Sequence, residues 1–372
     1  MSASTARYVD VLSRPGVPMT FGAALIGRAA YALVFLPLFY AVAEATDSVG
    51  LAGTAVAAYG ATASLLAPVR AWAIDRFGAR PVLTALTSLF AGSLTALALV
   101  SVLGGGGVVL IVLAGVAGAF APPLGPTMRV AWGELAPDRA WLRKGLSLDA
   151  VVEELLYLAG PAVAGLGLTV IAPGPALLAP AALVAGGGLI FAATPAIGAM
   201  GPRCDPADSR DHGPLLLDGR FARSLFPALV AGGVVGTIGV AVPVMFTGSG
   251  GSAAAGIALG SFAAGSAVGG LLYGGLPIPG SPPRQLTVLV LALLASASAL
   301  VGASGIIAVS AVLALAGMFF APVMIVSYLA AHTSGGEHRR NAATTWVNTS
   351  HNLGSSAGSV LAGVLLQSVG GG

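Results

Sequence analysis

The chain has 372 residues, of which 56% are hydrophobic and 8% are charged, and its formal net charge is +3 at pH 7. Soluble globular domains carry about 25% charged residues, so this composition excludes an ordinary soluble protein and predicts a chain embedded in a membrane. The single cysteine, Cys204, excludes a disulfide framework and a thiolate metal site.

Apolar stretches of about 20 residues, the length that crosses a bilayer, recur along the sequence and leave no room for a soluble domain. Residues 1–18 lack the short apolar core of a cleavable signal peptide and are expected to be a cytoplasmic tail. The sequence predicts an all-α polytopic membrane protein with eleven spans, at 21–45, 49–72, 81–103, 108–126, 146–171, 175–197, 225–246, 252–273, 285–300, 305–330 and 342–369. A basic loop is expected from Arg129 to Lys144.

Loop charges predict the orientation of the chain. Of the 17 lysines and arginines, all except Arg28 lie in the N-terminal tail or after spans two, four, six, eight and ten. The positive-inside rule therefore places the N-terminus in the cytoplasm of a multi-pass protein of the cell inner (plasma) membrane. The longest polar stretch, Gly201 to Arg223, is predicted to be a cytoplasmic linker between an N-terminal half, residues 1–200, and a C-terminal half, residues 224–372.

An internal repeat accounts for the odd number of spans. The sequence AGAFAPP at 117–123 returns as AGMFFAP at 316–322, and GPAVAG at 160–165 returns as GSVLAG at 358–363, offsets of about 199 residues. Two parallel six-helix units are predicted, with a twelfth helix due near residue 373. Whether that helix is absent from this sequence alone or from the protein is open. A gene that continues with codons for about 20 apolar residues would indicate truncation, and a stop codon would refute it.

The segment from Arg70 to Arg80, RAWAIDRFGAR, is a charged stretch between two apolar spans. It resembles the helix 2 to helix 3 signature of the major facilitator superfamily, Gly-x-Leu-x-Asp-Arg-x-Gly followed by basic residues, at Asp75, Arg76, Gly78 and Arg80. The sequence departs from that signature at three positions, Ala71, Ala73 and Ala79. The alternative is a basic turn between any two membrane helices.

With the repeat and the linker, this resemblance covers essentially the whole chain and is nearest to actinobacterial drug-efflux-like members. It implies two six-helix bundles and a proton-driven transporter. Span five is also similar to the antiporter signature of the superfamily at Gly160, Pro161 and Gly165, but departs from it at Leu156 and Ala164. The arginine that many proton-coupled members have in span four is not found between residues 108 and 120.

Charges within the spans indicate a function, because each costs about 2.5–3.5 kcal/mol at a helix centre. Arg28 in span one and Glu153 and Glu154 in span five are expected to neutralise one another. Glu154 is the expected proton carrier, since its spacing before Gly160 resembles an acidic position of the actinobacterial members. Asp149 is assigned to the first helical turn, where the helix dipole favours an acid.

Span eleven is unusually polar. The repeat offset aligns His351 with Glu153 and Asn352 with Glu154, so the polar groups of the two halves are expected to face a shared cavity. His351 is a further candidate for proton coupling, and the expected substrate-cavity residues are Tyr31, Tyr157, Trp346, Asn348 and Asn352. The alternative for the asparagines is hydrogen bonding between helices without a ligand.

Two further expectations concern helix contacts. Small residues in spans five and eight, which meet between the halves in the superfamily, are expected to allow close helix packing: Gly160, Pro161, Gly165, Gly265 and Gly269. Ordinary tight packing is the alternative. Asp75 is expected to lie against the positive N-terminal end of span eleven and to act with Arg76, Gly78 and Arg80 as a conformational latch.

No phosphate-binding loop, His-Glu-x-x-His pair or nucleophile elbow occurs in the sequence, so an enzyme is not expected, nor is a cofactor or a metal site. The first hypothesis is a secondary transporter that exports a small organic molecule by proton antiport. Its expected partners are the substrate, protons and the lipid bilayer, without nucleic acid, and the protein is expected to be a monomer. The second hypothesis is a transporter-derived sensor or assembly partner, and an intramembrane enzyme is a distant third.

Overall fold

The computed structural model describes residues 7–202, 219–246, 251–276, 278–334 and 340–370, and every regular element in these ranges is helical. The first part contains α1 (Tyr8–Ser13), α2 (Val17–Thr46), α3 (Val49–Leu65), α4 (Ala67–Phe77), α5 (Ala79–Val102), α6 (Gly107–Phe120), α7 (Leu124–Leu135), α8 (Arg139–Leu168), α9 (Pro173–Ala176), α10 (Leu178–Leu183), a π-helical turn (Val184–Gly188), α11 (Leu189–Ala193) and α12 (Pro195–Ala199). The second part contains α13 (Gly219–Ser224), α14 (Phe226–Met245), α15 (Gly251–Gly275), α16 (Pro282–Ser298), α17 (Gly305–Ser334) and α18 (Arg340–Gly370).

The all-helical membrane architecture is confirmed. In the described ranges, eight helical stretches are long and apolar enough to cross a bilayer, and a ninth is α3 with α4, which bend by 42° relative to each other. The polar helices α8 and α18 have 30 and 31 residues, longer than a crossing requires. These eleven stretches correspond to the predicted spans, although the number that cross a membrane stays a prediction. Most of the predicted linker lies outside the described residues, and its last residues belong to α13.

The predicted basic loop from Arg129 to Lys144 is wrong. Span four is broken at the consecutive prolines Pro122 and Pro123 and then resumes as α7, which contains Arg129. Helix α8 begins soon afterwards, because the Asp138 carboxylate caps its N-terminus by accepting from the Ala140 and Trp141 backbone nitrogens at 2.8 and 3.0 Å. The cap starts this helix well before the predicted boundary, and the basic residues therefore lie on helices.

Arg70 is likewise a helical, buried residue and not part of a solvated turn. Its guanidinium donates to the carbonyl oxygens of Gly118 at 3.1 Å and Ala119 at 2.9 Å, at the C-terminal end of α6. Those two carbonyls lack the usual N–H donor four residues further on, because these positions are Pro122 and Pro123. Arg70 therefore stabilises the broken end of span four, and the turn between α4 and α5 is reduced to Gly78, whose φ is +91°.

The helices of each half pack closely through glycine. A methyl group added to Gly232 of α14 would collide with the His351 carbonyl of α18, and one added to Gly269 of α15 would collide with the Met318 carbonyl of α17. Only glycine permits backbones to approach this closely. Gly265 likewise faces α17, at Ala314.

The expected role of these glycines in joining spans five and eight is therefore wrong for Gly265 and Gly269. Gly160 of α8 faces Ala32 of α2, within the N-terminal half, and Gly165 lies near Leu36 of the same helix. The side chain of Pro161 is outside the described set. Spans five and eight do meet, but through Gly270 and Gly274 of α15, against Val151 and Ser147 of α8. Further contacts between the halves join α8 to α17 and α18 to α4 and α7.

Substituting two glycines of α15 tests this packing. Gly269→Ala places a methyl group against the backbone of α17, so we expect a loss of about 1–3 kcal/mol of stability and a lower apparent melting temperature in detergent. Gly260→Ala, on the same helix, meets no atom within 4 Å and should be neutral or slightly stabilising, because alanine favours helix. Equal shifts for the two variants would contradict this packing.

Candidate functional site

A buried ion cluster lies where α2, α7 and α8 meet. Arg28 of α2 is 2.6 Å from Asp149 (Nη1 to Oδ1) and 3.0 Å from Glu153 (Nη2 to Oε1). Arg129 of α7 is 3.1 Å from Asp149 (Nε to Oδ2), and its Nη2 also pairs with Glu153 Oε2. Each guanidinium thus contacts both carboxylates, and we call these four residues the ion cluster.

The local sequence explains how these groups meet. Asp149 and Glu153 are four residues apart on α8 and share one helical face. Arg129 reaches that face because α7 resumes after the proline break, and Gly125 of α7 packs against the cluster, where a methyl group would lie 3.4 Å from Glu153 Oε1. Two guanidiniums and two carboxylates give the cluster a net charge of zero. Removing any one of them would leave an unpaired buried charge, which is costly.

Two expectations about these charges change, and a third is not tested. The sequence predicts Asp149 in a first turn, but it is the eleventh residue of α8, because the Asp138 cap moves the start of the helix. Asp149 is fully buried and paired with both arginines. Arg28 does pair with Glu153, but it also pairs with Asp149. The side chain of Glu154 lies outside the described set, and its role stays a prediction.

Arg129 is the member of the cluster that the sequence analysis missed. A span four that ends near residue 126 excludes Arg129, so the sequence predicts a span without an arginine and a loop that contains Arg129. The structure places it in the second part of that span, 1% exposed. Its neighbours Met128, Val130, Ala131 and Trp132 are all apolar, and this was the available signal that the span continues beyond the prolines.

Arg129 also reaches the C-terminal half. Its Nη1 donates to Asn348 Oδ1 of α18 at 3.2 Å, and its guanidinium carbon lies 4.1 Å from the centre of the Tyr328 ring of α17. The Tyr328 hydroxyl donates to the same Asn348 oxygen. A guanidinium over an aromatic face is attracted by the ring quadrupole. One side chain therefore connects the ion cluster to the C-terminal half.

A cavity of about 200 Å³ adjoins the cluster, between α8 on one side and α17 and α18 on the other. The lining residues are Ala150, Glu153, Tyr157, Phe320, Ala321, Met324, Tyr328, Asn348, His351 and Asn352. Within the cluster Glu153 is 23% exposed, whereas Arg28 and Arg129 are 4% and 1% exposed. The cavity therefore meets the ion cluster at a carboxylate.

His351 contributes an unused polar atom to this cavity. Its Nδ1 is 3.4 Å from Asn352 Oδ1, its ring centre is 5.7 Å from that of Phe320, and its buried Nε2 has no hydrogen-bond partner among the described residues. Glu153 and His351, the pair aligned by the repeat, thus lie on walls of one cavity.

Two expected cavity residues are not among the lining residues. The Tyr31 hydroxyl donates to the Pro122 carbonyl at 2.5 Å, at the break in span four, so this side chain ties α2 to the broken span. Trp346 is partly buried against the core outside the cavity. Tyr157, Asn348 and Asn352 do line the cavity, and their part in substrate binding stays a prediction.

Asp75 lies where the sequence placed it. It is 5% exposed, and its Oδ2 accepts from the Ala342 backbone nitrogen at 3.1 Å, in the first turn of α18. Arg80 has a different partner, since it donates to the carbonyls of Ala192 and Ala193 at 3.1 and 2.9 Å, at the end of α11. Gly78 provides the positive φ of the turn, and Arg76 is partly buried.

Removing one member of the ion cluster should destabilise the protein. Arg28→Ala leaves two buried carboxylates with one guanidinium, at an expected cost of about 3–5 kcal/mol, read as a lower apparent melting temperature in detergent. Arg139→Ala, an exposed arginine of α8, is the matched control. Adding Asp149→Leu to Arg28→Ala restores neutrality and should recover part of the loss; no recovery would contradict the account of the cluster as a charge-balanced unit.

The comparisons with known proteins agree with this architecture. Solved structures that match include the human organic anion transporter MFSD10 (TETRAN), at 14% sequence identity, covering 94% of this chain and 93% of that one, with a TM-score of 0.72. At that identity the likeness shows the fold alone. No curated protein sequence matches the chain. The family model described as Major Facilitator Superfamily matches residues 19–359, and the chain therefore belongs to this superfamily of membrane transporters.

Proposed function

We propose that the protein is a secondary transporter that exports a small organic molecule from the cytoplasm in exchange for protons, by alternating access. The observation that carries this proposal is the exposure of one carboxylate of a buried ion cluster, Glu153, to a cavity between the two halves. The basic residues cluster at alternate connections between the spans, which favours a place in the cell inner membrane with the N-terminus in the cytoplasm.

The ion cluster offers a physical means of coupling. A proton on Glu153 would leave two buried guanidiniums with one carboxylate, a net charge of +1 in a medium that penalises it. Arg129 would then be held less firmly, and it is the residue that contacts Asn348 and Tyr328 of the other half. Protonation at the cavity is thereby linked to a contact that must change when the halves move.

Geometry and sequence favour different proton carriers. Glu153 belongs to the ion cluster and lines the cavity. Glu154 has the spacing that resembles the superfamily's acidic position, and His351 is a third candidate, whose Nε2 has no hydrogen-bond partner in the part of the chain that the structure describes. We propose Glu153, and keep Glu154 as the competing assignment.

A second part of the proposal concerns Asp75. Its carboxylate lies at the N-terminus of α18, where the helix dipole stabilises a negative charge by about 0.3–1 kcal/mol. Since α4 belongs to the N-terminal half and α18 to the C-terminal half, this contact would act as a latch on the predicted cytoplasmic face.

The second candidate function is a transporter-derived sensor or assembly partner. The departures from the superfamily signatures at Ala71, Ala73, Ala79, Leu156 and Ala164 favour it. Proteoliposomes containing the pH dye pyranine in the lumen discriminate the two functions. A compound from a broad panel, chosen from the chemistry of neighbouring genes, should move protons in protein-containing but not empty vesicles; flat traces throughout would favour the second function.

Neutralising Glu153 should uncouple transport. With a compound that gives a pyranine signal, Glu153→Gln should abolish transport driven by an imposed pH gradient, because the side chain can no longer exchange a proton. Exchange of the labelled compound across the membrane should remain measurable, since the cavity persists. Glu154→Gln is the matched variant and should retain gradient-driven transport; the reverse pattern would return the role to Glu154.

Weakening the latch should open the predicted cytoplasmic face. Asp75→Asn removes the charge that favours the α18 terminus and should raise the maleimide reactivity of a cysteine at Val151, which is buried where α8 meets α15. The reporter is placed in a Cys204→Ser background. Asp47→Asn, at an exposed position, is the control, and unchanged reactivity of the Asp75 variant would count against the latch.

A further inference from the structure

The short helix α1, before the first span, contacts both halves of the molecule. It packs on α2 and α8 of the N-terminal half, where Val11 is buried and the Arg14 guanidinium lies 5.5 Å from the centre of the Trp141 ring of α8. The Asp10 carboxylate accepts from the Arg7 backbone nitrogen at 2.6 Å and so closes the first turn. These contacts hold α1 in place on α8.

From this position, Tyr8 reaches the C-terminal half. Its hydroxyl donates to the Leu271 carbonyl of α15 at 2.5 Å and lies 3.3 Å from Ser147 Oγ of α8. Ser147 in turn donates to the Gly270 carbonyl of α15. Two hydroxyls in contact with each other thus donate to neighbouring carbonyls of α15, at the place where spans five and eight meet.

The surface that receives Tyr8 is made of glycine. A methyl group at Gly274 would collide with the Tyr8 hydroxyl and with Ser147, and one at Gly275 would lie 3.9 Å from the Tyr8 ring. Tyr8 can therefore lie against this end of α15 because Gly274 has no side chain there. Burial also raises the pKa of the Tyr8 hydroxyl above its usual value, which keeps the O–H available as a donor.

We propose that α1 is a strap that holds the two halves together on the predicted cytoplasmic face, with the Tyr8 hydroxyl as its tie to α15. The strap rests on the proposed alternating movement of the halves, because α8 and α15 must separate for that face to open. It acts beside the Asp75 latch, at a different pair of helices. Breaking the tie shifts the population toward the state that is open on this face.

Distances between spin labels test the strap without substrate or a proton gradient. Labels at Arg139→Cys on α8 and Arg284→Cys on α16, both exposed, report the separation of the halves in a Cys204→Ser background. Tyr8→Phe keeps the ring and removes the hydroxyl, so the ratio of long to short distances should rise about two- to tenfold, as expected for one lost hydrogen bond. Gly274→Ala should raise it as well, by displacing Tyr8 and Ser147.

Val9→Ala is the matched control, because Val9 is the exposed neighbour of Tyr8 on the same helix. It should leave the distance distribution and the melting temperature at the parent values, and Tyr8→Phe should leave the melting temperature unchanged. A distribution for Tyr8→Phe identical to the parent, an equal change with Val9→Ala, or one fixed distance in every variant would each overturn the strap. Failed transport by a protein that still shows the Tyr8 effect would count against the proposed function and not against the strap.

Discussion

Charge balance at a buried site is the constraint on which the N-terminal half depends. A single charge at the centre of a membrane helix costs about 2.5–3.5 kcal/mol, yet four charged side chains meet between α2, α7 and α8. Each guanidinium contacts both carboxylates, so the cost is reduced only when all three helices are in register. The break in span four is part of this arrangement, because it brings α7 to the cluster, and Tyr31 and Arg70 donate to carbonyls at the break.

Contacts within and between the halves differ in kind. Within the C-terminal half, α14 and α18 and likewise α15 and α17 approach backbone to backbone at glycines. Such surfaces are complementary in one arrangement and do not slide freely. Each pair therefore behaves as one body.

Between the halves, several contacts are made by single polar side chains. Asp75 accepts from the end of α18, Arg129 contacts Asn348 and Tyr328, and Tyr8 donates to α15. A net contribution of about 0.5–1.5 kcal/mol for a hydrogen bond is small enough to be lost and regained. Alternating access would require contacts of this kind to break and form again, and in this chain Arg129 belongs both to such a contact and to the ion cluster.

The sequence by itself determined the membrane class, the approximate position of each span, the contact of Asp75 with span eleven and the alignment of Glu153 with His351. These follow from the length of apolar runs, from loop charges and from the repeat, all of which are local or periodic along the chain. The tertiary structure decided that Arg129 and Asp149 lie inside the protein, that Gly265 and Gly269 face α17, and that Tyr31 supports a helix break. The physical reason is that a helix start can move by several residues with one cap or one proline pair, as at Asp138 and Pro123. That shift sets how deep in the membrane each charge on the helix lies. Packing against helices distant in sequence sets the rotation of the helix about its axis, and this rotation decides which neighbour each side chain contacts.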